Sequence, residues 1–211
     1  MSASRTDPIA TPASGVHSTA QPDIVRQLAL QSVLQLADHD EPVKRTGPDP
    51  AQAEALMATL TPEQRERVFH VAGRRLAMQL LYELDLSTGT AEGDPALVLA
   101  KLATVDGLGP FQGERVRALV VGAWTNRKSA DAVFAEIAPE WPTHRLAAID
   151  RAILRLGHFE ASSKLTPARI VIHECIELAR AFGTDKSPSF VNALLDKALQ
   201  AVLGEPAQGA T

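Results

Sequence analysis

One recurring helix-start signal constrains the fold of this chain more than any other feature. A helix-capping residue precedes a proline at several points, among them Thr61-Pro62, Asp94-Pro95, Thr166-Pro167 and Ser187-Pro188. Proline is favoured in the first turn of a helix, because the N–H group that it lacks would have no partner there. Apolar residues follow at helical spacing, and the apolar-polar alternation of strands is rare. The sequence therefore predicts an all-α protein.

Prolines and apolar runs also predict how the chain is organised. Residues 1–60 are predicted as an extension that is largely disordered, with one helix near 24–37 that could dock elsewhere. The apolar positions noted in that helix are Ile24, Leu28, Val33 and Leu36. Residues 61–204 are predicted as a compact bundle of about six to seven helices, and residues 205–211 as a short tail. The role of the extension stays open: a regulatory tail, a docking helix or a solubilising segment.

Several helix ends within the bundle are predicted from their sequences. Thr61 is expected to cap a long helix over residues 62–86, with Gln64 reaching back to the N–H of the cap. The stretch after residue 110 is expected to form one long helix, or two with a bend near Asn126. Gly183 and Gly204 follow the last apolar positions of their helices, where a left-handed glycine is common.

Charge and cysteine content exclude several classes of protein. The net charge is −4 and the isoelectric point is near 5.9, so this is no strongly basic polyanion binder, and any nucleic-acid site must be local. The single cysteine, Cys175, excludes an internal disulfide and a four-cysteine zinc site. The N-terminus lacks a signal-peptide pattern, and no apolar run reaches the roughly 20 residues of a membrane span. We therefore expect a cytoplasmic protein.

No set of residues indicates catalysis. His173 and Glu177 share a helix face, but a zincin site would need a second histidine where Glu177 stands, so a polar surface is the simpler interpretation. Cys175 lies two residues from His173 on nearly opposite faces, which favours a core position. Phosphate-binding glycine loops and nucleophile elbows are missing. We expect a protein without enzymatic activity, bound metal or cofactor.

Positive charge is concentrated between residues 65 and 75, where four arginines accompany one acid. Helical spacing predicts two adjoining stripes, one of Arg67, His70 and Arg74, the other of Arg75, Gln79 and Tyr82. Guanidinium groups bind phosphate, glutamine can read a base edge and a tyrosine ring can stack on an unpaired base. The alternative is a solvated arginine face that pairs with acids of neighbouring helices.

A second stripe lies on the helix that contains residues 146–160. Arg151, Arg155 and His158 fall opposite its apolar face and are predicted as solvated surface. Glu160 falls beside the apolar face, where an acid must be paired, so we expect a structural role for it.

Four motifs in order resemble those of the NusB family of transcription antitermination factors. They are "GRRLAMQLLYELDL", "WPTHRLAAIDRAILRLGHFE", "TPARIVIHECIELARAFG" and "FVNALLDKAL", and the resemblance covers about residues 73–203. His173 stands where the family usually has Asn, and Ala193 where it usually has Gly, which suggests a changed contact between helices. In the last motif, Phe190 and Val191 are expected to enter the core.

The resemblance implies a non-catalytic helical bundle that takes part in transcription antitermination. Such a protein binds boxA-type single-stranded RNA in nascent ribosomal RNA, together with the ribosomal protein NusE, in a transcription elongation complex. The predicted RNA contacts are Arg67, Arg74, Arg75, Gln79, Tyr82 and Lys186. For the protein partner, the family's acidic position implies Asp150, to which we add its helical neighbours Leu154 and His158.

Two other functions fit the same sequence. One is an interaction module that keeps the fold and a protein partner but has lost RNA binding, as the acidic balance would allow. The other is an accessory domain of an RNA methyltransferase, which the short stretch after the last motif disfavours. The oligomeric state is open between a monomer and a homodimer.

Overall fold

The computed structural model describes residues 50–88 and 110–200. Within these two ranges every regular element is helical, which confirms the all-α prediction. The elements in order are α1 (Pro50–Thr59), α2 (Pro62–Thr88), α3 (Pro110–Thr125), α4 (Arg127–Ile137), a 3-10 helix (Thr143–Arg145), α5 (Ala148–Ser162), α6 (Ala168–Phe182) and α7 (Ser187–Ala198). The predicted helix near 24–37, the one after Asp94-Pro95 and the cap at Gly204 lie outside the described residues.

Helix α2 begins as its sequence predicts. The Thr61 N–H donates to Gln64 Oε1 at 2.9 Å, and the Gln64 N–H donates to Thr61 Oγ1 at 3.3 Å. These reciprocal bonds satisfy two of the donors that every helix start leaves free. The helix spans 27 residues and therefore about 40 Å. It is long enough to contribute to both ends of the bundle.

Helix α5 forms the centre of the bundle and contacts α2, α3, α4, α6 and α7. Its side chains Ile153, Leu154 and Leu156 are almost completely buried. Gly157 allows α6 and α7 to approach closely, because a Cβ atom there would lie 2.7 Å from Cys175 Sγ. Cys175 is fully buried, which confirms its prediction as a core residue.

The chain bends between α3 and α4 at Asn126, as the sequence predicts. The N–H and the side-chain Nδ2 of Asn126 both donate to the Gly122 carbonyl, at 3.0 and 2.9 Å. The Ala130 N–H in turn donates to the Asn126 carbonyl at 3.0 Å. One residue therefore separates two helices without leaving its own polar groups unpaired.

Three predicted helix caps are wrong. The Thr166 hydroxyl donates to Glu160 Oε1 at 2.6 Å and is not used to cap α6. Ser187 is the first residue of α7, and its hydroxyl accepts a hydrogen bond from the Thr184 N–H at 2.9 Å. Gly183 is extended, with φ −90° and ψ −163°, where we expected a left-handed residue. Glycine is required there by space, since a Cβ atom would lie 2.5 Å from Ser187 Cβ.

Helix α1 is an element that the sequence analysis missed. Arg65 of α2 caps its C-terminal end, because Nε donates to the Met57 carbonyl at 3.1 Å and Nη2 to the Ala58 carbonyl at 3.2 Å. Met57 and Leu60 pack against the core. Arg65 therefore has a structural role.

The last motif enters the core as expected. Val191 is fully buried and Phe190 packs against the core. Ala193 is exposed, so the alanine at this position adds no helix contact, contrary to the expectation.

Candidate nucleic-acid interface

Arg74, a predicted RNA contact, is buried and paired inside the bundle. Its Nε donates to both carboxylate oxygens of Glu160, at 3.0 and 2.8 Å, and only 3% of the residue is exposed. Burial opposes the charge, but the hydrogen bond and the negative charge of Glu160 outweigh it and raise the pKa of Arg74. The prediction that Arg74 contacts RNA is therefore corrected, because its guanidinium points at α5 and away from solvent.

Glu160 is the centre of this buried charge cluster and is itself 0% exposed. Besides Arg74, it accepts hydrogen bonds from Arg115 Nη2 at 2.8 Å and from the Thr166 hydroxyl at 2.6 Å. Glu174 lies 3.7 Å from Arg74 Nη1. We call Arg74, Arg115, Glu160, Thr166 and Glu174 the Glu160 cluster. It joins α2, α3, α5 and α6, and it confirms the structural role expected for Glu160.

A second charge cluster lies near the other end of α5. Arg155 donates to Asp85 Oδ1 at 2.9 Å and to Asp131 through Nε and Nη2 at 2.9 and 2.6 Å. Arg151 Nε donates to Asp85 Oδ2 at 2.8 Å, and its Nη1 donates to the carbonyls of Thr143 and Leu146. These four charged residues form the Asp85 cluster. The expectation of a solvated stripe is wrong for Arg151 and Arg155.

Arg75, one residue after Arg74, faces a different environment. Its guanidinium lies over the ring of Phe182 in α6, 4.8 Å from the ring centroid. Burial lowers the pKa of Arg75, and no acid offsets the effect. Its Nε atom is buried without a hydrogen-bond partner among the described residues. Arg75 is thus a half-buried cation positioned by an aromatic ring, and an anion would have to bind its Nη atoms because Nε is enclosed.

The remaining predicted RNA residues lie on α2 and in the turn after α6. Arg67 and Lys186 are exposed, whereas Gln79 and Tyr82 are half-buried. Arg75, Gln79 and Tyr82 share one face of α2, whereas Arg67 lies about 80° around the helix from Arg75, on the adjoining stripe. Lys186 lies in the turn that follows Phe182. We call Arg67, Arg75, Gln79, Tyr82, Phe182 and Lys186 the α2–α6 surface.

Phe182 is the member of this surface that was not among the predicted RNA contacts. It does pack against the core, but it also supports Arg75. No local signal could have found this contact, because the two residues lie in helices that are distant in sequence. A shallow cavity of about 60 Å³ adjoins them, and it is also lined by Glu174 and Glu177.

The residues predicted to bind a protein partner are mostly enclosed. Leu154 is 1% exposed, so it cannot contact a partner, and that prediction is wrong. Asp150 is 8% exposed; burial raises its pKa, and a hydrogen bond with Ser187 opposes the rise. His158 is half-buried, and its ring lies edge-on to Phe134 with 5.8 Å between the centroids. Burial also lowers the pKa of His158.

Neither a metal site nor a membrane-spanning helix occurs in the described ranges. Residues 50–88 and 110–200 contain no cluster of three or more His, Cys, Asp or Glu side chains that could hold a metal ion. No helix in the same ranges has the length and apolarity needed to cross a membrane.

Comparison with known proteins places these helices in a family. The sequence profile of the NusB family matches residues 71–200, more than half of the chain. This chain belongs to the NusB family. The match extends from the first half of α2 through α7 and includes every residue of the α2–α6 surface except Arg67. Helix α1 and the capped start of α2 precede the part that the NusB profile covers.

Individual NusB proteins show the same similarity. The transcription antitermination protein NusB of Roseiflexus sp. (strain RS-1) is 39% identical over 126 residues, which cover 58% of this chain and 85% of that protein. NusB of Chloroflexus aggregans is 36% identical over 147 residues, or 67% of this chain and 91% of that protein. The solved structure of T. maritima NusB superposes with a TM-score of 0.51 at 27% identity, covering 66% of this chain and 92% of that one.

Proposed function

We propose that this protein is a non-catalytic transcription antitermination factor that binds boxA-type single-stranded RNA together with the ribosomal protein NusE. It would act in the cytoplasm as part of a transcription elongation complex. Family membership and the name shared by its relatives, transcription antitermination protein, support the general role. The observation that carries RNA binding is Arg75, a half-buried cation held on the Phe182 ring without an acid partner among the described residues.

Each member of the α2–α6 surface has a chemical use in holding unpaired RNA. The Arg75 guanidinium would bind a phosphate, with Arg67 and Lys186 supplying further positive charge. The Gln79 amide can donate to and accept from a base edge, and the partly exposed Tyr82 ring offers a surface on which a base can stack. Together these residues would contact a short stretch of single strand.

Three cations and a net charge of −4 predict weak binding by this protein alone. Each phosphate contact to a single strand contributes about −0.7 to the slope of log affinity against log salt, so three contacts give roughly −2. A second protein bound to the neighbouring nucleotides would hold the RNA beside this surface, and the higher effective concentration of RNA there would strengthen the overall binding. We therefore expect tight binding only when NusE is present.

Fluorescence anisotropy of a labelled boxA-type RNA tests the proposal. The RNA is titrated with the protein at two salt concentrations, with and without NusE, using wild type, Arg75→Ala, Tyr82→Ala and Lys186→Ala. Arg75→Ala should weaken binding about tenfold or more, because a hydrogen bond to a charged group is worth about 1.5–3 kcal/mol. Arg117→Ala is the matched control, since Arg117 is exposed on α3 away from this surface.

The outcomes separate two functions. If NusE binds but RNA does not, the protein is an interaction module that has lost RNA binding. The burial of Arg74 and the two acids beside Arg75 favour that second function. Salt-sensitive RNA binding that is equal in wild type and Arg75→Ala would instead move the RNA site away from the α2–α6 surface. Size-exclusion chromatography of the same samples would show whether a homodimer competes with either complex.

A further inference from the structure

A cleft between the start of α2 and α3 is not part of the proposed RNA site. Its volume is about 230 Å³, and it is lined by Pro62, Arg65, Glu66, Phe69, His70, Gly73, Arg115 and Val116. Pockets for small molecules typically measure about 300–1,000 Å³. This cleft is smaller and better suited to the anchoring side chains of a helix.

The walls and the rim of the cleft differ in chemistry. Phe69, Gly73 and Val116 give it an apolar interior, whereas the rim carries two arginines and one acid. Arg115 uses Nη2 for the Glu160 cluster, but its Nε is buried without a hydrogen-bond partner in the described part of the chain. Burial, the largest effect, lowers the pKa of Arg115, and Glu160 opposes it. Two arginines face only one acid at the rim, so the rim would favour an acidic occupant.

The chain itself contains a segment with matching chemistry, outside the described residues. In the helix that the sequence predicts near 24–37, Leu30, Val33, Leu34 and Ala37 fall at i, i+3, i+4 and i+7 and so share one face. Ile24, Leu28 and Leu36 lie on the other side of the same helix, so its apolar residues are not confined to one face. Three acids follow within four residues, Asp38, Asp40 and Glu41. An apolar helix face followed by negative charge complements an apolar cleft with a positive rim.

The segment can also reach the cleft. Twelve residues lie between position 37 and position 50, and an extended chain of that length spans about 40 Å. Helix α1, which follows, is about 15 Å long, and its C-terminal end is held by Arg65, a residue of the cleft itself. The connection is therefore long enough for the segment to return to the cleft.

We propose that residues 24–37 dock as a helix in this cleft of their own chain, with Leu30, Val33 and Leu34 inserted between α2 and α3. Docking would cover the partly exposed Phe69 and place the acids of residues 38–41 near Arg115. The extension is then an intramolecular partner of the bundle. The proposal stands independently of RNA binding.

Paramagnetic relaxation in the full-length chain tests the docking. Ser32→Cys, on the face opposite Leu30 and Leu34, carries a nitroxide label, while the native Cys175 is fully buried and does not compete for the reagent. We expect the label to broaden the amide signals of Phe69, Gly73 and Val116. Leu30→Asp with Leu34→Asp should abolish the broadening, whereas the control pair Gln31→Asp with Gln35→Asp, equal in charge but turned by about 100° around the helix, should preserve it.

Other occupants of the cleft give different spectra. In an equal mixture of ¹⁵N-labelled unmodified chain and unlabelled nitroxide-carrying chain, strong broadening would show that a second copy fills the cleft, which overturns the proposal. Broadening centred on the exposed apolar residues Leu165 and Ile170 would place the segment elsewhere. Absence of broadening at any bundle amide would show an undocked segment. All the substitutions lie outside the described helices, so the bundle's own amide spectrum reports whether it is folded.

Discussion

Replacing Arg74 by methionine tests the conclusion that two adjacent arginines have separate roles. Arg74→Met keeps most of the apolar stem of the side chain but removes the charge that faces Glu160. Glu160 is 0% exposed and would keep only Arg115 and Thr166 as partners. Arg75→Met is the matched control, because Arg75 contacts the Phe182 ring and has no acid partner among the described residues.

The expected magnitudes differ enough to be measured. Removing one member of a buried ion pair typically costs about 3–5 kcal/mol of unfolding free energy, out of a total of about 5–15 kcal/mol. With an m-value of about 2 kcal/mol per molar urea, Arg74→Met should lower the unfolding midpoint by about 2 M. Loss of the Arg75 cation–π contact is worth about 0.5–1 kcal/mol, which lowers the midpoint by less than about 0.5 M.

Urea titration followed by circular dichroism, combined with RNA anisotropy under native conditions, is the assay. Arg74→Met should be unstable but bind RNA normally while folded, and Arg75→Met should be stable but bind RNA weakly. The assignment would be refuted if Arg74→Met unfolded at the wild-type urea concentration and lost RNA affinity, since that result would require an exposed Arg74.

Three further predictions follow from the packing. Burial lowers the pKa of His158 from 6.5, so the buried neutral imidazole contributes its full stabilisation above that pH, and this contribution is lost as the pH falls towards the folded-state pKa. The unfolding temperature, measured between about pH 8 and pH 5, should therefore fall less in His158→Gln than in wild type, whereas the exposed control His173→Gln should follow wild type. Gly157→Ala should lower the unfolding free energy by about 1–3 kcal/mol because its Cβ would meet a buried sulfur, and adding Cys175→Ala should recover part of the loss in a double-mutant cycle. Asp85→Asn should cost up to about 3 kcal/mol in urea unfolding, since one of its two arginines keeps a second carboxylate; an unchanged midpoint would show that the ion pairs of Asp85 contribute nothing.

Local sequence signals predicted the elements that depend on local chemistry. The capping box at Thr61 and Gln64, the bend at Asn126 and the core position of Cys175 each follow from a few neighbouring residues. The wrong caps at Thr166 and Ser187 show the limit of such signals. A hydroxyl suited to a helix start can bind a distant carboxylate or a preceding turn, and tertiary structure decides which.

The candidate site was less predictable for the same reason. Spacing on α2 identified a cationic region, but it could not tell that Arg74 faces a carboxylate in α5 while Arg75 faces an aromatic ring in α6. One residue turns a helix by about 100°, so adjacent side chains meet different neighbours. Glu160 was the clearest hint, because an acid beside an apolar face requires a cation. The sequence could not say which arginine would supply it.

Helix α5 has charged contacts at both ends, through the Glu160 cluster at one and the Asp85 cluster at the other. Leucine and alanine surfaces alone would tolerate a small slide or rotation of this helix, whereas paired charges at two separated points do not. Exchanging α5 alone for that of another bundle would therefore require matching changes in α2, α3 and α4. Helix α5 therefore cannot be exchanged without its charged partners. A chimera of this protein would be more stable if α2 to α6 were exchanged together.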